Sequence, residues 1–174
     1  MLTRKSHRLK DYNYSNEGAY FITICTHNKK CLFGKVVDKK MNLYQSGKIA
    51  EHFLKTIPDK YKEIRIFEFI VMPNHVHAVL EIVPTDKLQD NSKPISDIKY
   101  RRKMLLSKVI GWYKMNTAKE INKNRGTSGK SLWQRSYYDH IIRNYESYQK
   151  IYEYILINPE LWRKDKFYVS ENKK

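Results

Sequence analysis

Two strand-like runs meet at a tight turn near the middle of the chain. Ile64 to Val71 alternates, Pro73-Asn74 is a turn signal, and His75-Val76-His77-Ala78-Val79-Leu80-Glu81-Ile82 reads as a second strand. A β-hairpin is therefore expected from Ile64 to Val83. Successive side chains on a strand point to opposite faces, so His75 and His77 share one face and Val76, Ala78, Leu80 and Ile82 the other. Two imidazoles side by side on one strand make a bidentate site for a divalent metal. Two packing or surface histidines are the simpler alternative for an arbitrary H-x-H. As ligands, both rings are expected to be partly exposed.

The charge balance narrows the partner. Among 174 residues, 34 Lys and Arg face 18 Asp and Glu, a formal net charge of +16. An excess of that size points to a polyanion, with nucleic acid the commonest and an anionic membrane surface the rival. The chain has no apolar run of about 18 residues and no signal-peptide core, so no membrane partner is expected and the protein is expected in the cytoplasm, associated with the nucleoid. Cys25 and Cys31 form no C-x-x-C pair and are expected to be reduced. The 14 tyrosines, interleaved with basic residues, suit base stacking on a single strand, although ordinary packing must account for most of them.

In chain order, residues 1–17 read as a basic N-terminal arm, residues 18–162 as the main domain and residues 163–174 as a charged, loosely held C-terminal tail. Gly18 to Thr26 alternates as a strand. Cys31 to Asn42 fits a short hairpin around Asp38-Lys39. Ser46 to Tyr61 has helical spacing (Ile49, Phe53, Leu54, Ile57), with Ser46 as the cap and Pro58 disturbing the end. The stretch Pro84 to Lys99 reads as a loop. Tyr100 to Asn122 reads as one basic helix with Met104, Leu105, Val109, Trp112 and Met115 on its apolar side and Arg101, Arg102, Lys103, Lys108 and Lys114 on its wet side. Leu132 to Arg143 reads as a strand, and Asn144 caps a helix ended by Pro159. The order predicts an α+β fold: a ferredoxin-like βαββαβ antiparallel sheet with helices on one face, plus a C-terminal helix.

On that last helix Tyr154 and Asn158 are one turn apart and share a face. A phenol is a plausible nucleophile toward a phosphodiester when a metal polarises the phosphate, and an amide oxygen one turn away could complete the coordination. The alternative is a packing tyrosine and a C-cap asparagine.

Three pieces together resemble a known family. Met72-Pro73-Asn74-His75-Val76-His77 matches the histidine–hydrophobe–histidine motif of the HUH single-strand nucleases. Tyr154-Ile155-Leu156-Ile157-Asn158-Pro159 resembles the tyrosine motif of the IS200-like single-tyrosine transposases, and Trp133-Gln134-Arg135 with Tyr137-Tyr138-Asp139-His140 resembles the branch called REP-associated tyrosine transposases. The resemblance spans Gly18 to Trp162. IS200 members proper often carry glutamine where this chain has Asn158.

The resemblance implies a metal-dependent transposase that cleaves and rejoins hairpin-bearing single-stranded DNA through a 5′-phosphotyrosine. Tyr154 would be the nucleophile, and His75, His77 and Asn158 the ligands of Mg²⁺ or Mn²⁺. His140 would be a supporting residue, a DNA contact or a packing residue. Arg4, Lys5 and Arg8 in the arm, Arg101, Arg102 and Lys103 in the long helix, Arg125 and Lys130 in a loop, and Arg135 are the expected DNA contacts. Relatives include monomers and homodimers with shared sites. Two rivals belong to other classes: a ferredoxin-like hairpin DNA- or RNA-binding module without chemistry, and a hydrolase using activated water. The RNP consensus of the standard RNA-recognition module is absent.

Overall fold

Strand β1 (Gly18–Cys25) sits between β5 (His75–Ile82) and β6 (Tyr138–Ile142), and β4 (Ile64–Met72) completes an antiparallel sheet of order β4-β5-β1-β6. The computed structural model describes residues 12–84 and 98–169. A separate hairpin, β2 (Gly34–Val37) and β3 (Lys40–Leu43), turns at Asp38 and Lys39, whose φ values of 47° and 60° match a two-residue loop. The helices are α1 (Gln45–Lys55), α2 (Ile57–Lys60), α3 (Ile98–Lys103), α4 (Leu105–Asn124) and α5 (Tyr145–Ile157). With β1, α1, β4, β5, α4 and β6 as its six members, the core is the expected βαββαβ arrangement.

Register decides what each face carries. Thr23 opposes His77 and Cys25 opposes His75 across β1 and β5, and Met72 opposes His75 across the Pro73-Asn74 turn. Directly opposed residues share a face. The other face presents Tyr20, Ile22, Ile24, Val76, Ala78 and Leu80, all fully buried in one cluster with Leu54 of α1 and Leu106, Val109 and Tyr113 of α4. Helix α5 lies against the histidine face, where Tyr154 meets Phe21 and His77.

Several elements depart from the sequence reading. Helix α1 starts at Gln45 after Tyr44, with no side-chain cap, and Ser46 is buried inside it. Pro58 lies in the first turn of α2, which it permits while α1 has already closed at Thr56. The expected single helix after residue 99 is broken at Met104, which is extended (φ −60°, ψ 145°). The amides that open α4 are met by the N-terminal segment instead: Leu105 N donates to Ser15 Oγ (2.8 Å) and Leu106 N to Tyr14 O (3.1 Å). The buried stripe of α4 is Leu106, Val109, Ile110, Tyr113, Thr117 and Ile121, and Met115, expected in the core, is 64% exposed. Lys114, expected to face phosphate, instead places Nζ 2.6 and 3.1 Å from the carbonyls of Gln134 and Arg135.

Only Tyr138–Ile142 of the expected 132–143 strand forms one. Leu132 and Trp133 are apolar because they are buried as a loop, with Trp133 bridging to Thr26 and its Nε1 donating to Thr117 Oγ1 (2.9 Å). Beyond Pro159 the chain is not loose up to residue 169. It makes a short turn at Trp162–Lys164 and buries Trp162 and Phe167. Among the described residues, no helix is long and apolar enough to cross a membrane.

Candidate active site

The two histidines are at the start of β5, where the hairpin turn leaves the sheet. Both are buried, at 0% and 1% exposure, which corrects the expectation of partial exposure. They are covered because α5 and the returning C-terminal segment close over them. The Phe167 ring centre is 4.7 Å from that of His75, and the Tyr154 ring centre is 5.1 Å from that of His77.

Hydrogen bonds fix which nitrogen of His75 is bare. Asn74 Nδ2 donates to the carbonyls of Lys29 (3.1 Å) and Phe167 (2.8 Å), so its Oδ1 faces His75 Nδ1 at 2.9 Å. An amide oxygen only accepts, and Nδ1 therefore carries the proton. His75 Nε2 is left as a buried lone pair with no partner. His77 Nδ1 is 2.8 Å from Thr23 Oγ1, and its Nε2 is 3.2 Å from the Tyr154 hydroxyl.

Asp165 completes the cluster. Ligand atoms of His75, His77 and Asp165 lie within 4.8 Å of one another. Asp165 Oδ1 accepts from Phe167 N at 2.6 Å, while Oδ2 accepts from the Tyr154 hydroxyl and from Asn158 Nδ2, both at 3.3 Å. Asn158 Oδ1 is buried and unpartnered, like His75 Nε2. Buried acceptors without donors are uncommon, and two beside one carboxylate are what a cation would satisfy. The residues present thus fit a divalent metal: two imidazoles, a carboxylate and an amide oxygen. Cys25 lies on the same face, and burial pushes its thiol up to about 11.

Electrostatics keep both histidine rings unprotonated. Burial, then the ammonium groups of Lys166 and Lys29, push His75 down to about 3. Burial and its neighbour His75 hold His77 well below the ordinary histidine range, against a smaller pull from Asp165. Both rings are neutral at neutral pH, as metal ligation requires. Tyr154 is pushed up to about 12, first by burial and next by the Asp165 carboxylate, with the Asn158 hydrogen bond acting the other way. An open pocket of ≈ 420 Å³ leads to these groups, lined by Phe21, Tyr154, Asn158, Leu161, Lys164, Asp165 and Lys166.

The structure therefore brings Tyr154, His75, His77 and Asn158 together. It does not bring His140 to them: that side chain is exposed on β6 and lines a different pocket with Asp139 and Arg143. Arg102, Lys103, Arg125, Lys130 and Arg135 are exposed and Arg101 is partly so. Arg4, Lys5 and Arg8 lie outside the described residues. Sequence reasoning missed Asp165, a lone acid between Lys164 and Lys166 that reads as part of a solvated tail. It also took Asn74 for a turn residue only.

A protein of Haemophilus influenzae, described as an uncharacterized protein, is 40% identical over 175 residues, covering 96% of this chain and 94% of that one. The chain belongs to that protein's family. No family model matches it. A solved REP-associated tyrosine transposase bound to a REP hairpin is similar with a TM-score of 0.52 and 19% identity, over 92% of this chain and 73% of that one. The α+β fold read from the sequence is the fold of that transposase.

Proposed function

We propose that the protein is a metal-dependent transesterase of single-stranded DNA, transposase-like, acting on strands that carry a hairpin. The observation that carries this reading is the contact of the Tyr154 hydroxyl with His77 Nε2 (3.2 Å), beside the partnerless acceptors His75 Nε2 and Asn158 Oδ1. His75 and His77, with oxygens of Asn158 and Asp165, would hold the divalent ion, Mg²⁺ or Mn²⁺. When bound, such an ion offsets charge that develops on the phosphate oxygens and favours the phenolate.

The chain's own residues do the rest. Tyr154 Oη attacks phosphorus, and its proton leaves along the existing hydrogen bond toward Asp165 Oδ2. The P–O3′ bond breaks, the 3′ oxygen takes a proton from water, and the products are a 5′-phosphotyrosine and a free 3′-hydroxyl. Rejoining is the reverse attack by a 3′-hydroxyl, which needs no nucleotide because the ester bond is conserved. Phe21 and the buried face of α5 hold the phenol in place. Tyr154 touches His77 of the same chain, which supports a site assembled within one chain. Arg101, Arg102, Lys103, Arg125, Lys130 and Arg135 are assigned to backbone phosphates, and Arg4, Lys5 and Arg8 to the same role in the arm.

The test is denaturing electrophoresis after incubation with an end-labelled hairpin-bearing single strand and Mg²⁺ or Mn²⁺. A covalent protein–DNA band is expected, lost with chelator and lost in Tyr154→Phe while binding persists. Tyr152→Phe should keep both. Cleavage without the band would mean hydrolysis by water, and binding without cleavage would mean a recognition module.

A further inference from the structure

A further cavity, of ≈ 370 Å³, opens beside the turn that follows β1. Its walls carry His27 and Lys30 on one side and Arg125, Lys130, Thr127 and the Asn122 end of α4 on the other. We propose that this cup grips the phosphodiester backbone of the same DNA strand next to the phosphate attacked at Tyr154. The inference rests on the single-strand reading above and adds a place for the flanking strand.

Charge is the first ground. Three permanent cations and an imidazole converge, no acidic side chain lines the cavity, and among the described residues none of Lys30, Arg125 and Lys130 has an ion-pair partner. Cations gathered at one place repel one another, and an anionic ligand relieves that repulsion. The second ground is that both walls are held in place without the ligand. His27 N donates to Leu132 O at 2.7 Å, and Lys30 O accepts from the buried Thr26 hydroxyl at 2.8 Å. Opposite them, Asn122, 7% exposed, donates to Lys130 O at 2.7 Å and accepts from Thr127 Oγ1 at 3.0 Å. A site whose backbone is already fixed loses less entropy on binding.

Position is the third ground. Asn74, which orients His75, also donates to Lys29 O, so the 27–30 turn and the metal cluster share one hydrogen-bond relay. Lys29 Nζ in turn donates to Lys166 O (3.2 Å), and Lys166 lines the Tyr154 pocket. Lys166, Lys29 and Lys30 thus mark a cationic track from one cavity to the other.

The test is a binding measurement in chelator, where no cleavage occurs, with the full chain and a labelled hairpin-bearing single strand at several salt concentrations. Each phosphate contact contributes roughly 0.7 to the slope of log affinity against log salt on a single strand. The triple variant Lys30→Gln, Arg125→Gln, Lys130→Gln should flatten that slope by about 2. A control with equal charge removed elsewhere, Lys48→Gln, Lys60→Gln, Lys62→Gln, should leave it nearly unchanged. Equal flattening in both, or none in the first, overturns the cup. Because all six positions are exposed, unfolding is not expected, and amide NMR supplies a variant-free reading: a dT oligonucleotide should shift His27 and Thr127 at far lower concentration than inorganic phosphate. Equal potency of the two would make this a small-anion site and overturn the strand assignment. Slopes that behave as expected without a covalent band would leave the cup standing and remove the transesterase reading, and the reverse pattern would do the opposite.

Discussion

Tyr154 holds its proton more tightly than a free phenol, because burial and the Asp165 carboxylate push it up to about 12. The same carboxylate accepts its hydrogen bond. Asp165 therefore opposes ionisation of the phenol in the absence of a cation. In metal-free protein, Asp165→Asn should move the Tyr154 titration down toward the ordinary 10, which ¹³C-tyrosine NMR can follow. An unmoved titration would leave burial as the whole cause. With metal and DNA, the same variant should lose most of its covalent product, since it removes a charged member of the proposed metal cluster and the carboxylate that accepts the Tyr154 hydrogen bond. The histidines behave differently from exposed ligands. Each fills space between the sheet and the C-terminal segment, so His75→Ala should cost roughly 2–4 kcal/mol of stability in addition to activity, measured by denaturant unfolding.

Side-chain polar contacts anchor two elements. Helix α5, which carries Tyr154, starts at Asn144, whose side chain accepts from Ser147 N at 2.8 Å. Asn144→Ala should destabilise by about 1 kcal/mol. The segment between Trp133 and β6 has no ladder. The Lys114 ammonium holds it instead by reaching the Gln134 and Arg135 carbonyls, while Trp133 Nε1 is tied to Thr117. Lys114→Met keeps the aliphatic stem and removes the donor. It should cost about 1–2 kcal/mol and raise amide exchange from 133 to 137, with little effect in β4. Basic charge on a helix invites a phosphate-binding reading, yet this lysine is spent on the chain's own backbone.

For the whole molecule, the buried rings tie stability to pH. The folded-state values lie below the ordinary 6.5, to about 3 for His75, so the unfolded chain binds more protons between those limits. Stability from the neutral rings is complete above about 6.5 and is lost as pH falls toward 3. For His75 alone the shift corresponds to at most about 5 kcal/mol. The metal-free melting temperature should therefore drop steeply from pH 7 to pH 4, and His75→Asn with His77→Asn should flatten that drop. At pH 7, Mn²⁺ should raise the melting temperature of the unmodified protein and leave the double variant unmoved, because an ion that binds only the folded state stabilises it by mass action.

The hairpin, its turn and the shared face of His75 and His77 follow from a period of two and Pro73-Asn74, which act over a few residues. The α5 helix follows equally from Asn144, helical spacing and Pro159, and the i,i+4 relation of Tyr154 to Asn158 comes with it. These signals are local, and no distant part of the chain can reverse them cheaply. The phase of α4 was not legible in this way, because apolar residues occur on several of its sides. Which side became core was set by Tyr14 and Ser15 capping its first turn and by Tyr113 reaching the Ala50 carbonyl. Burial of the histidines and the arrival of Asp165 were decided by the chain folding back after Pro159. Nothing in Lys164-Asp165-Lys166 distinguishes a solvated acid from a ligand. The difference is made by Phe167 burying itself against His75, a contact between residues far apart in the chain that only the packed sheet brings together.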